Sequence, residues 1–221
     1  RGAMHGRIFD DRRSAGGELA AALAGLSILE EGVVLALPRG GVPVAYEVAV
    51  ALELPLDILV IRKLGAPGHR ELAIGAVGTG CVRVLNRRIL DSLKVSDEEV
   101  EQIAREEQRR VEEKEEFLRG GLERATIAGR SVVLVDDGLA TGASMRAAVE
   151  TAKAMNPKRV IVAVPVAPQE TVETLKREVD RVVCVETPSS FHAVGQWYHH
   201  FDQSSDDEVR RLLKEASKRT R

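Results

Sequence analysis

Two adjacent carboxylates, Asp136-Asp137, stand between the apolar run Val132-Val-Leu-Val135 and a glycine-bearing loop, Gly138-Leu-Ala-Thr-Gly-Ala-Ser144. Each part suits one piece of chemistry. A short run of continuous hydrophobics marks a strand buried on both faces, and in an open parallel sheet ligands bind beyond the carboxyl ends of the strands. The strand therefore delivers both acids to the edge where a ligand sits. Gly138 and Gly142 permit a tight turn, so the amides of the loop and of the following helix start point at one place. That arrangement holds an anion, with the helix dipole adding to the attraction. Thr141 and Ser144 contribute hydroxyl donors. The carboxylates would repel the same anion, so they are expected to accept hydrogen bonds from sugar hydroxyls a few ångströms away. All thirteen residues of the run serve that one use, and a sugar phosphate explains them better than an ordinary polar turn between strand and helix. Other phosphate loops do not fit. There is no GKS or GKT, and Gly75-Ala-Val-Gly-Thr-Gly80 has its glycines in the wrong order for a dinucleotide fingerprint.

The elements that must position this loop follow from hydrophobic patterning. Leu19, Leu23 and Leu26 recur at helical spacing, predicting a helix over residues 11–29 that ends at Glu31-Gly32. Residues 33–37 form a buried-strand run, Pro38-Arg39-Gly40-Gly41 breaks it, and residues 42–52 read as a helix. A second strand is predicted over residues 56–61. Residues 65–80 hold five glycines and one proline and read as a mobile loop or hairpin outside the core. Residues 81–85 alternate as a strand does. Ser96-Asp-Glu-Glu99 is a capping box opening a long helix to about Gly120, whose dense Glu, Arg and Lys content reads as a solvated face. After the loop come a helix through Met155, a strand over 160–166, a helix over 170–179 and a strand over 182–185. A last helix starts near Ser205, with Glu208 completing a second capping box. Alternating strands and helices predict an α/β fold, an open parallel sheet with helices on both faces. No repeat or linker divides the chain, so a single domain is expected over residues 4–221. Its core spans about 11–186, and a small hood and C-terminal helix span about 187–219. Arg1-Gly2-Ala3 before Met4 reads as a cloning remnant.

Composition narrows the function classes. At 221 residues the chain is long enough for a substantial core, and 44% hydrophobic with 30% charged residues is a globular balance. A net charge of −2 supplies no basic field for nucleic acid. Cys81 and Cys184 lie far apart without CxxC spacing, suggesting neither a disulfide framework nor a zinc site. No apolar run approaches membrane-spanning length and no signal-peptide pattern occurs, so no membrane partner and a cytoplasmic setting are expected. With aromatics at only 3%, the core is built from Val, Leu, Ile and Ala.

Four hydrophobics, two acids and then Gly-Leu-Ala-Thr-Gly-Ala-Ser resemble the 5-phosphoribosyl-1-pyrophosphate (PRPP) motif of type I phosphoribosyltransferases. The order of elements is similar to that family across roughly residues 19–185. The resemblance implies that Asp136 and Asp137 bind the ribose 2- and 3-hydroxyls. It implies that Gly138 and the backbone of Ala140, Thr141, Gly142, Ala143 and Ser144, with the Thr141 and Ser144 hydroxyls, bind the 5-phosphate. Arg39-Gly40-Gly41 looks like the family's pyrophosphate loop, and its physical reading agrees, since glycines let the backbone approach an anion and Arg39 neutralises charge. Arg62 and Lys63 end the second strand at the same sheet edge, where pyrophosphate contact and a solvated strand end are both open. Residues 65–80 sit where the family carries a loop that closes over the active site, which makes Lys63 and His69 the catalytic candidates. Further implications are Mg²⁺ carried by PRPP, with Asp136 and Asp137 nearby, and a homodimer.

The acceptor pocket is expected in the hood, where Ser189 to Phe201 holds the single tryptophan. Phe191 and Trp197 either stack on a base or staple the segment to the core; Tyr198 and Phe201 read as core packing. The sequence departs from the family pattern at Ala140, where enzymes acting on 6-oxopurines carry an acid. The loop is closer to the adenine or orotate type, and a guanine or hypoxanthine enzyme is disfavoured. The expected activity is transfer of 5-phosphoribosyl from PRPP to a nitrogenous base with release of pyrophosphate. The alternative is a PRPP- or nucleotide-binding regulator without turnover, since some carriers of the motif are regulators. A weaker third reading replaces the base by water or phosphate.

Overall fold

A computed structural model describes residues 7–219. Its centre is a five-stranded sheet with order β2-β1-β6-β7-β8, every neighbouring pair parallel. The strands are β1 (Val33–Ala36), β2 (Leu56–Ile58), β6 (Ser131–Val135), β7 (Arg159–Val166) and β8 (Arg181–Glu186). Successive side chains of a strand point to opposite faces, and here both faces are covered. Val34, Ala36, Val133 and Val135 face one cluster with Leu19, Leu23, Val42, Val48 and Leu212. Val33, Leu35, Val132 and Leu134 face another with Met145, Val149, Val172 and Leu175. Every residue of β1 and β6 is buried. Each buried valine or leucine contributes about 1.5–3 kcal/mol over an exposed one.

The first cluster is closed by α1 (Arg12–Leu23), α2 (Gly41–Leu52) and α7 (Asp206–Arg219), the second by α5 (Ala143–Lys153) and α6 (Gln169–Lys176). The α1 helix begins where the Asp11 carboxylate accepts from the Ser14 amide at 2.7 Å. It ends at Leu23, short of the prediction, and residues 27–29 form a separate 3-10 turn. At the other end of the chain the Ser205 hydroxyl accepts from the Glu208 amide, opening α7 close to its predicted start.

The predicted strand over 56–61 is broken by Leu59-Val60. Ile61 starts a second sheet, antiparallel, built from β3 (Ile61–Ala66), β4 (His69–Gly78) and β5 (Val82–Leu85). The glycine-rich stretch is therefore an ordered hairpin. It is also not outside the core, since Leu64, Ile74 and Val77 are fully buried against α4 (Asp97–Arg119) and its neighbours. A short helix, α3 (Arg87–Leu93), adds to the predicted elements; Asn86 caps it, accepting from the Ile89 amide. The Ser96–Glu99 capping box forms as expected.

The acidic and basic residues of α4 do not all face solvent. Asp57, Glu115 and Arg119 are buried, and Arg119 Nε donates to Asp57 at 2.8 Å while Nη2 donates to Glu115 at 3.1 Å. The Thr79 hydroxyl and Arg124 also bind Glu115, and the Ala125 amide binds Asp57. This network ties the end of α4 to β2 of the first sheet and to the turn after β4.

The hood, residues 187–204, carries a 3-10 turn, Val194–Trp197. It is bound to the segment before α1, with Phe9 N donating to Trp197 O at 2.8 Å and His199 N to Phe9 O at 2.8 Å. Phe9, Ala15, Val166, Trp197 and Tyr198 form a third apolar cluster there. Both cysteines are free.

Candidate functional site

The β6 strand stops at Val135 and the chain turns with Asp136, whose carboxylate accepts from the Asp137 amide at 2.9 Å. The two acids meet the first-strand loop from the neighbouring strand, Val135 being paired with Ala36. A Cβ on Gly40 would overlap Asp137 Oδ2, and one on Gly41 would lie 2.7 Å from Val135 O. No side chain fits at either position, so the two segments that sequence reading joined only through a common ligand lie against each other. The Pro38–Arg39 peptide between strand and loop is cis.

Asp137 has a partner that sequence reading missed. Arg12 Nε donates to Asp137 Oδ2 at 2.9 Å, with both side chains largely buried. The guanidinium is held on two further sides, donating through Nη1 to Asp202 O at 2.6 Å and lying 3.9 Å from the Phe201 ring centroid. Tyr198 completes the arrangement by donating its hydroxyl to Asp137 O at 2.5 Å. Electrostatics follow from this enclosure. Withdrawal from water, and then the neighbouring Asp137 charge, push Asp136 well above the usual carboxylate range. Withdrawal from water also raises Asp137, with Arg12 pulling in the opposite direction. Burial drives the Tyr198 hydroxyl upward, so it stays a donor.

The loop beyond the acids leaves Ala140, Thr141, Ala143 and Ser144 exposed while Gly138, Leu139 and Gly142 are buried. Gly142 has φ +76°, a left-handed conformation that favours glycine, and it immediately precedes α5. Its turn is braced from behind by the Thr171 hydroxyl, which donates to Ala140 O at 2.7 Å. The exposed stretch is thus a shaped rim of backbone at a helix start, which is what an anion requires.

The other candidates fall in three places. Arg39 approaches Asp206 at the start of α7, Nη1 lying 3.8 Å from a carboxylate oxygen that Lys114 also binds at 2.7 Å. Arg62 and Lys63, side by side in sequence, belong to opposite faces of β3. Arg62 is ion-paired with Glu107 of α4, whereas Lys63 lines a cleft with Ala143 at the start of α5. His69 stands at the hairpin tip with 65% of its side chain exposed, Nδ1 lying 3.5 Å from Glu71.

In the hood, Trp197 is 8% exposed and packs among Phe9, Ala15 and Val166, with Phe191 stacked on it at 6.2 Å between centroids. Tyr198 and Phe201 stack at 4.9 Å, as core packing predicts. Of the two predicted stacking rings Trp197 is the core one, and Phe191, half-buried, keeps a face towards solvent.

The sequence profile of the phosphoribosyl transferase domain matches residues 15–202, a stretch that contains both glycine loops, the acids and the hairpin. The chain belongs to that family. Two curated Mycobacterium tuberculosis proteins, "Putative phosphoribosyl transferase Rv0571c" of strain H37Rv and its counterpart MT0597 of strain CDC 1551, are each 46% identical over 210 residues, 95% of this chain. The chain spans about half, 47%, of the length of these curated relatives. Among solved structures, TT1426 from Thermus thermophilus is 46% identical with a TM-score of 0.84, covering 94% of this chain and 98% of that one. Family membership accounts for the parallel sheet. Arg12 lies outside the matched residues, and nothing in its immediate sequence marks it.

Proposed function

We propose that this phosphoribosyl transferase domain binds PRPP and transfers its 5-phosphoribosyl group to a ring nitrogen of a heterocyclic base. The observation that carries the reading is the contact of Gly40-Gly41 with the paired acids Asp136-Asp137, beside the exposed rim Ala140–Ser144. Three groups of a sugar diphosphate need three different surroundings, and this corner of the sheet offers all three. The rim suits the 5-phosphate, the carboxyl pair suits the 2- and 3-hydroxyls, and the glycine loop leaves room for pyrophosphate.

In the reaction the bond from ribose C1 to the pyrophosphate oxygen breaks, pyrophosphate leaving with the electron pair. The ring nitrogen forms the new bond with its lone pair and gives up a proton. The protein supplies position and charge rather than a nucleophile of its own. Asp136, pushed up by burial and by its neighbour, is suited to donate to one hydroxyl, while Asp137, held beside Arg12, is suited to accept from the other. Lys63, whose side chain has no ion-pair or hydrogen-bond partner among the described residues, is a free cation suited to the leaving group. His69 on the hairpin tip is the titratable side chain available for the proton, and Phe191 is the hood ring available for the base.

Among the described residues no three His, Cys, Asp or Glu side chains cluster as a metal site. Two carboxylates alone suit an ion bound mainly through substrate oxygens and water, as Mg²⁺ usually is at phosphates. The ion, with Asp136 and Asp137 beside it, would neutralise charge gathering on the departing pyrophosphate.

The test is calorimetric titration of PRPP with Mg²⁺ into the wild type and into Asp136→Asn/Asp137→Asn. Saturable binding in the micromolar range, about −8 kcal/mol, lost in the folded double variant, is the expected result; pyrophosphate release is then screened against a panel of bases. Undiminished binding by the variant overturns the ribose assignment. Binding without release on any base turns the reading towards a PRPP-binding regulator.

A further inference from the structure

A second cleft, of about 740 Å³, opens between the antiparallel sheet and the outer side of α5. Its apolar side chains are Ala73, Ala76, Val84, Ala143 and Ala147, while Leu85 of the same strand turns to the other face of the sheet. Lys63, Arg87 and Arg88 stand around it, and among the described residues none of the three has an ion-pair or hydrogen-bond partner. The carboxylates in the cleft are already engaged: Glu178 binds Arg146 at 2.6 Å, and Glu150 lies 3.5 Å from Lys153. The wall therefore carries an uncompensated positive charge over an apolar floor. The cleft shares Ala143 with the phosphate loop, yet Asp136, Asp137, Gly138 and Thr141 take no part in it.

We infer that this cleft is a second ligand site, taking a nucleoside phosphate whose base lies on the floor while its phosphates meet Arg87 and Arg88. Several features select that class. Unpaired arginines prefer phosphate oxygens, which they bind in a forked, charge-assisted geometry. Small and aliphatic side chains cover a planar ring with Asn86 alone among the uncharged side chains there to hydrogen-bond it, so recognition of the ring is loose and recognition of the phosphates dominates. The volume lies in the range of small-molecule pockets, about 300–1,000 Å³. Inorganic phosphate alone would leave the floor bare. An acidic peptide would satisfy the cations but gains nothing from so short an apolar surface. Occupancy would couple to the sugar-phosphate site through two parts: Ala143, common to both, and Lys63, which a second ligand would draw away from pyrophosphate.

The site stands apart from the PRPP reading and is tested separately. Fluorescent N-methylanthraniloyl-GTP is titrated into the wild type, into Arg87→Ala/Arg88→Ala and into Asp136→Asn/Asp137→Asn. Both arginines are exposed, so their removal leaves the fold and the acid pair intact, and unchanged melting and PRPP titrations check this. The expected result is saturable binding to the wild type that weakens at least tenfold in the arginine variant, persists in the acid variant and falls with added salt. GTP should compete at least tenfold better than inorganic triphosphate. Binding abolished only by the acid variant overturns the site, because the nucleotide then occupies the PRPP position. Equal competition by inorganic triphosphate overturns the role of the floor. No saturable binding to the wild type overturns the proposal whole, and none of these outcomes touches the PRPP titration.

Discussion

The parallel sheet and the antiparallel sheet are built to different standards of enclosure. Every residue of β1 and β6 is buried, and at the tip of β6 Asp137 is held by Arg12 and by Tyr198 of the hood. In the second sheet, Arg62, Lys63, His69, Arg70, Glu71 and Leu72 are all exposed, and buried residues such as Leu64, Ala66 and Ile74 alternate with open ones. A ligand made of one rigid sugar and two mobile phosphate groups would need both kinds of surface. The enclosed corner fixes its geometry before binding, so little ordering remains to be done when the sugar arrives. The open sheet keeps its cations hydrated and able to move, at little conformational cost. The two are not independent, because the Asp57–Arg119–Glu115 network crosses from one to the other.

That crossing is where the comparison is most easily broken. Arg119→Ala leaves Asp57 a buried charge without its cation and Glu115 with Arg124 as its one remaining cation, and such a loss costs about 3–5 kcal/mol. At about 2–4 °C per kcal/mol for a chain of this size, a Tm fall of roughly 10 °C is expected in thermal unfolding. An unchanged Tm would mean that the second sheet rests on the first without the network. Arg12→Ala acts within the enclosed corner alone. We expect a loss of about 2–3 kcal/mol in stability together with at least tenfold weaker PRPP binding, partly recovered by Arg12→Lys. Stability lost with affinity unchanged would reduce Arg12 to a strut. Gly40→Ala drives a methyl into Asp137 Oδ2, and overpacking of this kind costs about 1–3 kcal/mol. PRPP titration should show it as a lower affinity, and thermal unfolding as a Tm fall of about 2–12 °C.

Smaller effects follow from protonation and from the open sheet. A carboxyl whose pKa is raised on folding contributes stability at low pH and loses it as pH rises through the folded value. Asp136 and Asp137 are both raised. The unliganded protein should therefore melt at higher temperature as pH falls from about 8 towards about 5, by about 2–4 °C per kcal/mol gained. Asp136→Asn should flatten that slope and melt above the wild type near neutrality; a steeper slope would show that other groups dominate. At the hairpin tip, His69→Ala should change stability by no more than about 0.5 kcal/mol, whatever it does to turnover in a pyrophosphate-release assay.

The parts of the site legible from sequence were those written in one stretch. Val132–Ser144 announces strand, acids and loop together because its glycines and hydrophobics are local requirements of local geometry. The capping box at Ser96 is legible for the same reason. What was not legible depends on partners far away in the chain. Arg12 is separated from Asp137 by 125 positions, and on a charged helix start it reads like any surface arginine. Glu115 and Arg119 have the i, i+4 spacing of a solvated pair, and only Asp57 arriving from β2 shows that they are buried. The hairpin reads as lying outside the core because its glycines mask the alternation of Leu64, Ile74 and Val77, which becomes a pattern only once β3 and β4 are paired. Arg62 and Lys63 could be placed at a strand end but not on opposite sides of it until that pairing was known.

The backbone hydrogen bonds joining Phe9 and Asp10 to Trp197, His199 and His200 have a practical bearing on how this protein is handled. They stitch the beginning of the described chain to the segment that carries Tyr198, whose hydroxyl rests on Asp137. A fusion partner, purification handle or protease cut introduced at Phe9 is therefore an intervention at the Asp136–Asp137 corner, two contacts removed. Such a product would still contain every strand of the five-stranded sheet, none of which includes Phe9. Its defect would surface only as a weakened grip on the ligand, and a preparation trimmed there would pass for an inactive protein.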